Sequence, residues 1–125
     1  MARGCLYEAD NLEESLFATA GWSGTCKLWG IPDCAIRTEL RGHKDRVGCI
    51  RFHPYVGHIP ENGPNIATAS ADKTVRIWSM NPEYDFQKSV ELKGHEDFVN
   101  WVEFHPMGKH IASGSSDKTW RLWDI

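Results

Sequence analysis

Two sets of side chains in this 125-residue chain have the types and spacing to do chemistry together. One holds His43, Asp72 and a hydroxyl from Thr68 or Ser70; the other holds His95, Asp117 and a hydroxyl from Ser113 or Ser115. A hydroxyl activated by an imidazole that a carboxylate orients is the working arrangement of serine hydrolases. Duplication argues against that use, because an active site is rarely copied segment by segment along one chain. The competing reading is a relay of hydrogen bonds. It would satisfy polar groups that each cost about 1–3 kcal/mol when buried alone, and it would serve the indole N–H of the tryptophan that follows each set, Trp78 and Trp123.

The elements around these residues repeat with them. His43 to Val47 and His95 to Val99 are each four apart, His43 to His53 and His95 to His105 each ten, and Asp72 to Trp78 and Asp117 to Trp123 each six. Aligned on Trp29, Trp78 and Trp123, three segments match: Phe17 to Trp29, Ile66 to Trp78 and Ile111 to Trp123. Each reads as a β-hairpin, with small and hydroxyl residues in its first strand, a tight turn, and alternation in its second strand. Upstream, Val47 to Phe52 and Val99 to Phe104 read as short strands closed by His-Pro, since proline cannot donate to a ladder; Ala35 to Leu40 and Gln87 to Leu92 supply the remaining strands. A Gly-His, an Asp and a strand-ending Trp recurring together, the Trp at spacings of 49 and 45 residues, resemble the WD repeat. The resemblance implies an all-β fold, a WD-repeat β-propeller built from four-stranded antiparallel blades, and a buried chain from indole through hydroxyl and imidazole to Asp.

The sequence predicts roughly two and a half blades, an incomplete ring, where closed propellers have at least four; a fragment of a longer propeller is expected. Partial, second and third blades end near Trp29, Trp78 and Trp123 within residues 16 to 125. Residues 1 to 15 match poorly: Asp10 to Glu14 stand where a His-Pro turn belongs, so no regular strand is expected over Cys5 to Tyr7. A Pro-, Gly- and Asn-rich insertion, Tyr55 to Asn65, reads as a surface loop. In the first hairpin Ser23 replaces the turn Asp and Gly21 replaces Ser70, leaving Thr19, so that blade is expected to lack the full chain.

A net charge of −3, from 14 basic and 17 acidic residues, gives no basic footprint for direct nucleic-acid binding. The four cysteines form no C-x-x-C pair and read as reduced, apolar residues of an intracellular protein. No apolar stretch approaches a membrane span, and no signal-peptide core is present. The six histidines fall at turns and hydrogen-bond positions rather than at ligand spacing, so neither a metal nor a cofactor is expected.

The run Gly21 to Cys34, with a Trp-Ser-Gly turn leading to Pro-Asp-Cys, resembles the WD-repeat component of the U4/U6 small nuclear ribonucleoprotein, a family of pre-mRNA splicing factors. Leu40 to Pro54 and Asp117 to Asp124 are similar to the next two blades of that family, in order. The resemblance implies a non-catalytic nuclear scaffold of the U4/U6 and U4/U6.U5 tri-snRNP particles. It would contact other particle proteins directly and the U4/U6 small nuclear RNA mainly through them, with no membrane or small-molecule substrate. In a blade the Gly-His loops and Asp-Lys turns share one rim, which puts Trp22, Lys44, Arg46, Lys73, Glu96, Asp97, Phe98 and Lys118 on one candidate partner-binding face. Trp22 there reads either as packed on a neighbouring blade or as a binding hot spot. Two other functions stay open: an unrelated WD-repeat adaptor of a ubiquitin-ligase or signalling complex, and direct RNA contact through Trp22, Lys27, Lys44, Arg46, Lys73 and Lys118.

Overall fold

Short apolar-polar alternations between turn residues leave this chain no route to a helix, and its computed structural model is all strand and loop among the residues it describes, 3–7, 15–31, 33–54, 64–80 and 86–125. Three antiparallel sheets follow one another. The first runs in the order β1 (Arg3–Tyr7), β2 (Ser15–Ala20), β3 (Cys26–Ile31) and β4 (Ile36–Leu40). The second runs β5 (Val47–Phe52), β6 (Pro64–Ser70), β7 (Thr74–Met80) and β8 (Phe86–Lys93). In the third, β9 (Val99–Phe104) pairs with β10 (His110–Ser115), which pairs with β11 (Trp120–Asp124).

β1 corrects the expectation for the N-terminal segment. Arg3 to Tyr7 pair with Ala20 to Leu16, so the first sheet has four strands. A strand on a sheet needs only backbone groups and one compatible face, and neither requires the His-Pro turn that was missing. Residues Asp10 to Glu14, and the insertion apart from Pro64 and Asn65 at the start of β6, lie outside the described residues.

The blades pack face to face. Ala18, Ala20, Cys26, Leu28 and Leu40 of the first meet Val47, Ile50, Ile66 and Trp78 of the second. Cys49, Ala67, Ala69, Val75 and Ile77 of the second then meet Val99, Val102, Phe104 and Ile111 of the third. Each fully buried Val, Leu, Ile or Phe contributes about 1.5–3 kcal/mol, so these two joints dominate the stability.

The third blade repeats the pattern with nothing against it. Trp120 and Leu122 stand where Val75 and Ile77 do, yet are 74% and 61% exposed against 0% and 6%. Trp123, expected to be buried like Trp78, is half-buried for the same reason: β11 is an edge strand.

Three turns share one unusual backbone geometry. Gly24, Lys73 and Lys118 occupy equivalent positions with φ of 81°, 75° and 71°. Only at Gly24 is there no room for a side chain, because a Cβ there would stand 2.7 Å from the His43 carbonyl oxygen and 2.9 Å from that of Asp45. A left-handed L-residue costs about 1–2 kcal/mol before any clash. Gly24→Ala is therefore expected to cost at least that much in urea unfolding, whereas Lys73→Gly changes stability by less than about 1 kcal/mol; equal losses would refute the close approach.

Candidate interaction site

The rim that gathers the loops is built from the hydrogen-bonding residues upward. In the second blade Trp78 Nε1–H donates to Thr68 Oγ1 at 2.8 Å. His43 Nε2 lies 2.6 Å from the same oxygen, and His43 Nδ1 lies 2.8 Å from Asp72 Oδ2. An ionised carboxylate only accepts, so Nδ1 carries the hydrogen, and Thr68 O–H donates to a neutral ring at Nε2. Burial, partly offset by the Asp72 carboxylate, holds His43 below its ordinary pKa, which keeps that ring neutral at pH 7.

Asp72 uses every acceptor position. Oδ2 also takes Lys44 N–H at 2.9 Å, and Oδ1 takes both the amide and the hydroxyl of Thr74. Burial works against this carboxylate, but the bonds from Thr74, Lys44 and His43 together hold it below the usual aspartate range. The third blade repeats the set: Trp123 Nε1–H to Ser113 Oγ at 2.8 Å, His95 Nε2 to that oxygen at 2.8 Å, and His95 Nδ1 to Asp117 Oδ2 at 2.9 Å. Asp117 again takes Glu96 N–H and Thr119, and the Thr119 hydroxyl heads the bonds that lower its pKa.

Ser70 and Ser115 sit outside the relay. Ser70 Oγ–H donates to the Arg46 carbonyl at 2.8 Å and accepts Asp72 N–H; Ser115 does the same for Asp97 and Asp117. Thr74 and Thr119 were missed by the sequence reading, although the repeated Asp-Lys-Thr carried the signal. Thr68 and Ser113 are buried, and each accepts an indole N–H, so neither hydroxyl can meet a substrate. In the first blade Trp29 Nε1–H still donates to Thr19 Oγ1 at 3.1 Å; with Ser23 at the turn the relay ends there.

Gly42 lets the loop come close: a Cβ would lie 3.2 Å from the Arg76 guanidinium, which stacks 5.9 Å from the Trp78 ring. The loop 41–46 is thereby clamped onto the turn of the second blade on one side and against Gly24 of the first on the other. Backbone bonds extend the lock, Val47 N–H to Gly21 O at 3.0 Å and Ala71 N–H to Arg46 O at 2.9 Å. At the opposite ends of the strands His53 Nε2 bonds the Gly108 carbonyl at 3.0 Å.

The structure places Trp22, Lys44, Arg46, Lys73, Glu96, Asp97, Phe98 and Lys118 in these loops and turns, all at the same ends of the sheets. All are exposed except Asp97, which is partly covered. Three of them come together: the Arg46 guanidinium carbon lies 5.2 Å from the Trp22 ring centre and 5.3 Å from that of Phe98. One residue comes from the turn of the first blade, one from the loop into the second and one from the loop into the third. Trp22 and Phe98 remain 63% and 38% exposed. Each stacking contact contributes about 0.5–1 kcal/mol at an exposed site, enough to order the three side chains without burying them. Lys27 is turned away from this group, over Trp29.

With three propeller-type sheets and two complete relays in place, comparison decides the family. Residues 34–79 and 86–124 match the model of the WD domain, G-beta repeat. The chain belongs to that family. Among similar proteins, the U4/U6 small nuclear ribonucleoprotein Prp4 of Mus musculus is 46% identical over 57 residues, 45% of this chain and 11% of that protein. Coronin-7 of Homo sapiens is 28% identical over 107 residues, 80% of this chain and 11% of that protein. A chain in the crystal structure of the Chaetomium thermophilum polycomb repressive complex 2 superposes with a TM-score of 0.77 at 26% identity, covering 98% of this chain and 25% of that one. The chain thus spans about a tenth of the length of the curated relatives it matches.

Two measurements test the relay. Thr68→Val takes from the Trp78 indole N–H and from His43 Nε2 the hydroxyl that both bond and is expected to cost about 2–4 kcal/mol in urea unfolding; Thr19→Val, with one half-buried indole affected, costs under about 1.5 kcal/mol. Acid should also weaken the fold. His43 and His53 are both held below the ordinary 6.5 by burial, so the unfolded chain takes up more protons than the folded one beneath that value. The urea midpoint is expected to fall as pH drops below about 6.5, and again below 3.8, the ordinary aspartate value that Asp72 undercuts; a midpoint flat from pH 7 to 5 would contradict the neutral imidazoles.

Proposed function

We propose that this WD-repeat chain is a non-catalytic protein-interaction scaffold of the U4/U6 and U4/U6.U5 tri-snRNP particles in the nucleus, using the rim that carries Trp22, Arg46 and Phe98. The observation that carries the reading is the stack of these three side chains from three successive blades, aromatic and still exposed. Large amphipathic side chains around an arginine are the composition of interface hot spots. The particle is suggested by the local identity of 46% with Prp4, well above the 28% with Coronin-7. The two buried relays, with hydroxyls closed to substrate, favour a scaffold over an enzyme. Lys44, Lys73, Glu96, Asp97 and Lys118 form the mixed-charge surround of the same face.

A second reading, an adaptor outside splicing, draws on the Coronin-7 match because that match spans more of the chain. Pull-down from nuclear extract separates the two. Under the splicing reading U4 and U6 RNAs co-purify with the chain, and Trp22→Ala combined with Phe98→Ala reduces their recovery at least several-fold while the fold stays intact by circular dichroism. Trimming the insertion Tyr55 to Asn65 should do less. Absence of both RNAs from the wild-type pull-down would sink the splicing role, and loss on shortening alone would move the working face to the other rim.

A further inference from the structure

Among the described side chains, Arg46 differs from the other arginines in what its guanidinium touches. Arg37, Arg41, Arg51 and Arg76 each reach a carboxylate, Asp33, Glu39, Glu103 and Glu91 respectively, and Arg121 donates to the Gly94 carbonyl. Among the described residues no carboxylate or carbonyl takes the guanidinium of Arg46. The nearby acids are engaged elsewhere: Asp45 Oδ1 takes the Arg46 backbone N–H at 2.7 Å, and Asp97 Oδ1 takes that of Phe98 at 2.8 Å. The centres of the Trp22 and Phe98 rings lie 5.2 and 5.3 Å from its guanidinium carbon. Its fork of N–H donors, which matches a carboxylate two-for-two, is left for a ligand.

We infer that the Trp22–Arg46–Phe98 stack is a receptor for a single acidic side chain, Asp or Glu, on an extended segment of a partner protein, with an apolar neighbour of that residue lying on the exposed Trp22 ring. The inference rests on the reading of this rim as protein-binding, not on the splicing assignment. The mixed charge of the rim suits a peptide better than a nucleic acid. Lys44, Lys73 and Lys118 alternate with Asp45, Glu96 and Asp97 on this rim, which is not the one-sign basic footprint that a phosphate backbone needs. Aromatic walls hold the guanidinium in place before binding, which reduces the ordering cost of recognition.

The test is selection of dodecapeptides from a random displayed library on the full 125-residue chain, followed by titration of a selected peptide. Recovered sequences are expected to share an Asp or Glu beside an apolar residue. Changing that acid to its amide in the peptide, which leaves the protein untouched, should weaken binding about tenfold or more, as should Arg46→Gln, with Arg46→Lys intermediate. A library that yields no binder, recovered peptides without a common acid, or a peptide amide that binds as well as the acid would each overturn the inference. Twelve-nucleotide oligouridine that binds more tightly than the peptide and is lost with Arg46→Gln would overturn it in favour of phosphate recognition. Peptides held through Trp22 without an acid remove this inference and leave the scaffold; acid-dependent binding with no U4 or U6 RNA in the nuclear pull-down removes the splicing role and leaves this inference.

Discussion

The imidazole of His43 is bonded on both sides, and the arrangement of the first two blades depends on both bonds. Through Nε2 it reaches the middle of β6 and, by way of Thr68, the indole at the far side of β7; through Nδ1 it reaches the turn between them. The indole N–H and the imidazole Nε2 share the Thr68 hydroxyl, so loss of that one group takes a bond from both. The loop that carries His43 leaves β4 of one blade and is fastened inside the next. The covalent step from blade to blade is thereby given a fixed length and direction. Apolar burial supplies more free energy, but it is non-directional. The relay fixes which loop sits on which turn, and with it the register that sends Ile66, Thr68 and Ser70 to one neighbour and Ala67 and Ala69 to the other.

The rim inherits its geometry from that fastening. Arg46 and Phe98 are the last residues before the inner strands β5 and β9, each one position ahead of a buried valine. Their backbone groups are held by the turns, Arg46 O by Ala71 N–H and Phe98 O by Ser116 N–H, both at 2.9 Å. Trp22 occupies the turn position that Ala71 and Ser116 take in the other blades. A bulky ring thus replaces a small residue at the one turn that lacks the aspartate.

Much of this was legible in the sequence because the period is long and each mark in it is chemically distinct. β5 and β9 lie over Val47–Phe52 and Val99–Phe104, as the run from Gly-His to His-Pro predicts. β1 was missed because its marks are absent, while strand pairing requires only backbone. The choice between Thr68 and Ser70 was open since both point to the same face of β6; the depth of Trp78 in the blade joint decides it. The cysteines divide rather than behaving alike: Cys26, its thiol pushed up to about 12 by burial, and Cys49 are packed in the joints, while Cys34 is exposed in a left-handed turn. That Trp22, Arg46 and Phe98 stack on one another was invisible, because residues 24 and 52 positions apart in sequence meet only when three sheets fan around a common edge.

The bare face of the third blade has a further meaning when the three equivalent faces are compared. At one position they carry Cys26, Val75 and Trp120; at the next, Leu28, Ile77 and Leu122. Side-chain volume at the first of these rises from a thiol to an isopropyl group to an indole, so each joint requires a differently shaped counterpart. A sheet shaped like β9 and its neighbours, full where Val75 is small, would collide with Trp120, and one hollowed to accept the indole would leave a void over Cys26. Volume along the chain thus works as an address. It tells each blade which neighbour it accepts and turns away the wrong blade of its own molecule.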